Sequence, residues 1–158
     1  MIFDYSQVIE GRLWVGTFIR PEDAKELGRM GITDVVSIQS DEDLEERRIP
    51  LGRLIKALAD AHIDLHRVSV RDFNSEELAL KLPRCVAEIE AALGPAGAKV
   101  YLHCTAGINR SPTAAAAYLM KSRGMSAQDA RDLLVSKRDC DPDLDLLKRY
   151  AYQLANDE

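Results

Sequence analysis

The sequence predicts an α/β fold: a central, mostly parallel sheet of four to five strands flanked by helices. Three observations lead there. Short β-branched or apolar runs alternate along the chain with segments of helical periodicity. The runs are largely continuous rather than one-sided, as expected of strands covered on both faces. No repeat, low-complexity tract or linker-like stretch interrupts the alternation, so residues 1–158 are expected to form one domain.

Leu13-Trp14-Val15 reads as a short strand ending at Gly16. Pro21 stands at a first helical position and opens the helix PEDAKELGRM, closed near Gly31. TDVVSIQ, Thr33 to Gln39, is a β-branched run of buried-strand type. SDEDLEERRIP is polar and either irregular or briefly helical. Leu51 to His62 carries Leu51, Leu54, Ile55 and Leu58 at helical spacing. Asp64 to Val70 alternates as a strand, and RDFNS follows as a loop. A helix from Ser75 to about Leu93 aligns Leu78, Leu82, Val86, Ile89 and Leu93 on one face, with Glu76 and Glu77 suited to its N-terminus. After the turn GPAG, AKVYLHC is the next strand, and a helix runs from the segment behind it to about Arg123, ended by Gly124. Ser126 with Asp129 starts another helix. Asp141-Pro142 is read as the start of the last one, with Leu144, Leu147, Tyr150 and Leu154 facing inward.

Composition excludes several classes. The formal charge of −5, with no basic block, argues against a nucleic-acid partner. No apolar run reaches the roughly 18 residues needed to span a bilayer. MIFDYSQVIEGR lacks a basic segment followed by an apolar one, which predicts a cytoplasmic protein. Cys85, Cys104 and Cys140 are too sparse for a disulfide framework and have no zinc-site spacing. In a reducing compartment, a cysteine in an unusual setting is a candidate nucleophile.

Cys104 is in such a setting, at the end of a strand and within HCTAGINRS. Between Cys104 and Arg110 lie small residues and a glycine, so the backbone can curl with its N–H groups turned inward. A turn of that kind running into a helix N-terminus cradles an anion. Arg110 adds a planar, permanently charged fork that matches two phosphate oxygens. The same surroundings favour a thiolate. C-x5-R is therefore a device for taking a phosphoryl group. A leaving alkoxide needs a proton, so an acid is expected on a neighbouring loop. Asp72 lies at the end of the preceding strand, 32 residues before Cys104. Asp41, Glu42 and Asp43 are competing acids on a segment that cannot be positioned from sequence, and Asp141 looks like a helix cap.

HCTAGINRS matches the H-C-x5-R-[S/T] signature of the protein tyrosine phosphatase superfamily, and the chain resembles its dual-specificity branch. From about Tyr5 to Leu147 it further resembles plant starch-excess-type glucan phosphatases, through VGT, RPEDAKELGRMGI, SIQSDEDLE, VRDFNSEEL, Leu82-Pro83 and LLVSKRDCDPDLD. Laforin is a more distant likeness. The resemblance implies a phosphatase-type phosphate-binding loop between a strand and a helix, no metal and no cofactor. It implies Cys104 as nucleophile, Asp72 as general acid at the family's interval, and Arg110 with the amides of Thr105, Ala106, Gly107, Ile108 and Asn109 as the phosphate seat. Ser111 donates to the departing sulfur, caps the helix, or both. His103 is implied to be buried loop support rather than a base, and Phe73 to line the substrate cleft. Tyr5 and Trp14 belong either to that rim or to the core.

Two departures separate the loop from the glucan enzymes. Asn109 stands where they carry glycine, and Ser111 where the plant proteins carry a small residue such as Ala. A phosphorylated protein is thus the first expected substrate and a phosphorylated glucan the alternative; an inactive phosphate-binding module is the second. Cys85, on a helix, and Cys140, beside a helix cap, are either ordinary residues or regulatory disulfide partners of Cys104, while His62 and His66 are read as ordinary residues. Lys137 and Arg138 are read first as a solvated helix end and, alternatively, as an extension of the positive field.

Overall fold

A computed structural model describes residues 3–157. Five strands form one sheet in the order β1-β2-β5-β3-β4: β1 (Tyr5–Ile9), β2 (Leu13–Gly16), β3 (Asp34–Ser37), β4 (Asp64–Arg67) and β5 (Val100–His103). Only β1, at one edge, runs antiparallel to its neighbour β2; all other pairings are parallel. The predicted class therefore holds. β1 itself is not foreseen by the sequence, because only Val8 among its five residues is buried and no apolar run marks it.

Seven α-helices complete the described residues: α1 (Ala24–Met30), α2 (Asp41–Glu46), α3 (Leu51–Asp60), α4 (Ser75–Leu93), α5 (Arg110–Arg123), α6 (Ala127–Lys137) and α7 (Leu144–Asn156). A 3₁₀ turn over Pro21–Asp23 precedes α1. Strand residues alternate between the faces, as the two-residue period requires. Leu13, Val15, Val36, Val100 and Leu102 join a core with α4, α5, α6 and α7. Val35 and Tyr101 point the other way and pack with Leu27, Leu54 and Leu58 of α1 and α3. Tyr5 and Trp14 pack against this second core, with the Tyr5 and Tyr101 rings 6.2 Å apart, edge to face. Ala114 to Ala117 are fully buried; a helix stripped to methyl groups there lets α5 sit close to its neighbours.

The structure decides one alternative that the sequence left open and moves one boundary, each for a physical reason. SDEDLEE is a true helical turn, because Ser40 and Asp43 form a reciprocal capping box. The last helix begins at Leu144 with Asp143, not Asp141, as its cap: the Asp143 carboxylate accepts from the Leu146 N–H. Asp141 is taken up elsewhere, its carboxylate pairing with Arg131 at 2.6 Å.

The parallel register aligns Gly16, His103, Ser37 and Arg67 in one row. The segments following β2, β5, β3 and β4 thus leave the sheet at a common carboxyl edge, where ligands of such sheets bind.

Candidate active site

Between the end of β5 and the start of α5, residues 104–109 form a tight turn whose carbonyls all have partners. Cys104 O accepts from His103 Nδ1 at 2.8 Å, and Thr105 O from the Phe18 N–H at 2.9 Å. Ala106 O and Gly107 O accept from Arg138, at 3.2 and 2.8 Å. Ile108 O accepts from the Asp141 N–H at 2.7 Å, and Asn109 O from both the N–H and the hydroxyl of Thr113. In a trans peptide the C=O of one residue and the N–H of the next point in opposite directions. Holding the carbonyls of 104–109 away from the loop's centre therefore turns the N–H groups of 105–110 towards it. Gly107 permits the curl: its φ is +68°, and a Cβ there would lie 2.7 Å from Gly16 O.

The side chains gather on the same turn. Cys104 is buried, and its Sγ lies 3.2 Å from Ser111 Oγ. Arg110, the first residue of α5, is 3% exposed. Its Nη1 donates to Val70 O and to the Asp43 carboxylate, both at 2.6 Å, and Nη2 donates to Thr105 Oγ1 at 3.3 Å. Its Nε lies 3.4 Å from Asp72 Oδ1. Asp72 and Phe73 occupy the turn between β4 and α4, and the Phe73 N–H donates to Asp72 Oδ1 at 3.1 Å. Phe73 is fully exposed and holds φ at +57°, a conformation rare for a bulky residue. With Asp72, Arg71, Ser40, Glu42 and Glu46 it lines a depression beside Asp43.

The sequence-derived candidates thus fall into contacting pairs: Cys104 with Ser111, Arg110 with Thr105, and Arg110 with Asp72. Asn109 turns its amide outward to the Asp141 carbonyl, at 3.1 Å. His103 is fully buried. Burial pushes its pKa down to about 4, assisted by the nearby Arg110 and Arg67 charges and opposed by the bond to Cys104 O. The imidazole is therefore neutral at physiological pH and donates from Nδ1. Among the described residues no group of His, Cys, Asp and Glu side chains converges to hold a metal, and no helix is long and apolar enough to cross a membrane.

Two residues of the site escape sequence reasoning. Arg138 is not a solvated helix end. Its side chain is 8% exposed, binds two loop carbonyls, and pairs with Asp4 at 2.6 Å. Asp43 is the other. Of the three competing acids it alone is buried, against Arg110. The Ser40–Asp43 capping spacing is legible in the sequence, but no local signal marks the contact of either residue with the loop.

A buried thiol opening a loop with inward amides, closed by a fixed guanidinium that lies 3.4 Å from a carboxylate, is an arrangement able to take a phosphoryl group. The family comparison agrees: residues 13–149 match the model for "Dual specificity phosphatase, catalytic domain". The chain belongs to the dual-specificity phosphatase family. Over 142 residues it is 34% identical to the phosphoglucan phosphatase DSP4, amyloplastic, of Castanea sativa, covering 88% of this chain and 38% of that protein. Over 152 residues it is 30% identical to the dual specificity protein phosphatase Mpk3 of Drosophila melanogaster, covering 96% and 33% respectively. It thus spans about a third of the length of each relative. Among solved structures, that of PTPMT1 in complex with PI(5)P superposes with a TM-score of 0.80, covering 96% of this chain and 97% of that one at 21% identity. At that identity the likeness shows the shared fold.

Proposed function

We propose that residues 1–158 form one catalytic domain that hydrolyses phosphate monoesters through a phosphocysteine intermediate, with phosphoproteins as substrates. The observation that carries this reading is the Cys104–Ser111 pair, 3.2 Å apart, at the base of a turn whose amides face inward beside Arg110. Cys104 Sγ, as the thiolate, attacks phosphorus; the S–P bond forms as the P–O bond to the leaving group breaks. The inward amides and Arg110 hold the three remaining oxygens while charge redistributes over them. Asp72, carrying a proton, gives it to the leaving oxygen. Water then attacks the phosphocysteine, Asp72 takes its proton back, and the S–P bond breaks. Ser111 donates a hydrogen bond to the departing sulfur. His103, neutral and buried, supports the loop from behind. Sparse, unpaired cysteines favour a reducing compartment, which we take to be the cytoplasm.

Hydrolysis of p-nitrophenyl phosphate in excess chelator tests the reaction. Turnover that disappears in Cys104→Ser supports it, and turnover that survives overturns it. Asp72→Asn should slow an alkyl phosphate far more than this aryl ester, whose leaving group needs little protonation.

The 34% identity to a protein named as a phosphoglucan phosphatase favours a second reading, a phosphoglucan substrate. Fully exposed Phe73 beside Asp72 offers a face on which a sugar ring can stack. Phosphate release from solubilised amylopectin, compared with release from phosphopeptides, separates the two.

A further inference from the structure

The segment after β2 and the end of α2 bring two arginines onto one aromatic ring beside the phosphate-binding loop. Phe18 is 5% exposed, and its N–H donates to Thr105 O at 2.9 Å, so its backbone is tied to the loop itself. Arg20 Cζ lies 5.2 Å and Arg47 Cζ 5.5 Å from the centre of the Phe18 ring, within the range of cation–π attraction. Both arginines are half-buried. Among the described residues neither guanidinium takes part in an ion pair, because the acids near them in sequence are engaged elsewhere or stand apart. Asp23 accepts from the Arg20 N–H at 2.8 Å, Asp41 pairs with Arg67, and Asp43 pairs with Arg110. Glu22, Glu45 and Glu46 are exposed and pair with neither arginine.

Arg47 is held in place by the way α2 ends. The Arg48 N–H donates to Glu45 O at 3.1 Å and the Ile49 N–H to Leu44 O at 2.8 Å, while Leu44 and Ile49 are both buried; this is a Schellman turn. The turn puts Arg48 at φ +53°, the left-handed region where glycine is the usual residue. Backbone held there by a larger residue persists only where its surroundings impose it, and such positions cluster at binding sites. Two like charges gathered on one ring repel each other, and the negative face of the ring offsets that repulsion only in part. An anion beside them removes it. The chain has a formal charge of −5, so no general field collects anions and their capture must be local. We propose that Arg20 and Arg47 form a second anion site beside the phosphate seat. It takes a phosphate or carboxylate carried by the same peptide as the phosphorylated residue. The proposal rests on the phosphatase reading for what fills the seat. Each guanidinium supplies a planar fork that matches such an oxyanion, and Phe18 fixes both forks next to the loop.

The probes are phosphotyrosine peptides that carry Glu, phosphoserine or Gln at successive positions on both sides of the phosphotyrosine. Binding is read by calorimetry in Cys104→Ser, which has no thiol to react, and kcat/KM is read in the parent. At one or more positions the anionic peptide should exceed its Gln counterpart in both quantities by about twofold or more, as expected for exposed ion pairs. That ratio should shrink as salt is raised from about 0.05 to 0.5 M, since exposed charges are screened. Arg20→Gln and Arg47→Gln should each lower the ratio, and the double variant should bring it close to one. Arg47→Glu should instead favour a peptide with Lys at the same position. Because each readout compares two peptides on one protein, a general loss of fold or activity cancels; thermal melts of each variant check the fold directly. Preference for both anions, or for one of them, supports the proposal and identifies the source of the anion. A ratio below twofold at every position in the parent would overturn it. So would a preference that persists undiminished in the double variant. A parent that hydrolyses no ester would refute the phosphatase reading alone, and the calorimetric ratios would still decide the role of the arginine pair.

Discussion

Replacing Arg138 by methionine keeps the length of the apolar stem and deletes every donor. In the parent, Nε bonds Gly107 O at 2.8 Å and Nη2 bonds Ala106 O at 3.2 Å, while Nη1 pairs with Asp4 at 2.6 Å. Asp4 is 57% exposed, so water replaces its partner and that pair contributes at most about 1 kcal/mol. The two carbonyl bonds come from a charged donor that is 8% exposed, and bonds of this kind contribute about 1.5–3 kcal/mol each. The longer one belongs at the low end or below, and a total near 3 kcal/mol follows. In a domain of this size about 1 kcal/mol moves Tm by roughly 2–4 °C, so Arg138→Met should melt some 6–12 °C lower. Activity should fall as well. The same carbonyls set the direction of the amides at 107 and 108, and a displacement of about 1 Å at a reacting centre can cost on the order of a hundredfold. Differential scanning calorimetry and p-nitrophenyl phosphate kinetics read the two effects. Lys137→Met is the control: its side chain is exposed and should move stability by no more than about 0.5 kcal/mol. A Tm within about 2 °C of the parent, or kcat/KM within twofold, would show that the clamp does not hold the loop.

On the proposed mechanism the hydroxyl 3.2 Å from Cys104 Sγ assists sulfur as a leaving group, so Ser111→Ala should slow breakdown of the intermediate more than its formation. Quenched-flow should then reveal a burst of product followed by a steady rate lowered by tenfold or more, on the order expected for loss of one such donor; the absence of a burst would place Ser111 in a capping role only. For His103 the pH dependence has a definite sign. Its pKa is about 4 folded and 6.5 ordinarily, so between those values the unfolded chain binds more protons. The stability is fully present above about pH 6.5 and is lost as pH falls towards 4. At pH 4.5 the loss from this one group is on the order of 2–3 kcal/mol. Denaturant unfolding at pH 7.5 and 4.5 should therefore show a smaller difference in His103→Gln than in the parent, and equal differences would refute the assignment. Asp43 adds to acid lability below about pH 3.8, since its depressed pKa supplies stability that disappears as pH falls through the folded value.

Hydrophobic periodicity and caps lie within a few residues of one another, and so does the loop that joins β5 to α5. For that reason the α/β class, most element positions and the contiguous HCTAGINRS loop could be read from the chain alone. Asp72 could be nominated because it ends an apolar run. Local patterns fail where partners are distant. DPD contains two equally good caps, and Asp143 is the cap because Arg131 and Ile108 take up Asp141. β1 has one buried residue and exists through pairing with β2. Arg138 ends a polar helix and Asp43 sits among acids. Their roles arise 31 and 67 residues away in sequence, on the loop carbonyl of Gly107 and the fork of Arg110. The residue types of the Cys104–Ser111 loop, and their order, were legible in the sequence alone, since that turn is short and contiguous. Which way the loop's amides face and what holds Arg110 were decided only by the tertiary structure. Both depend on carbonyls and carboxylates that chain folding brings from other elements to the sheet's carboxyl edge.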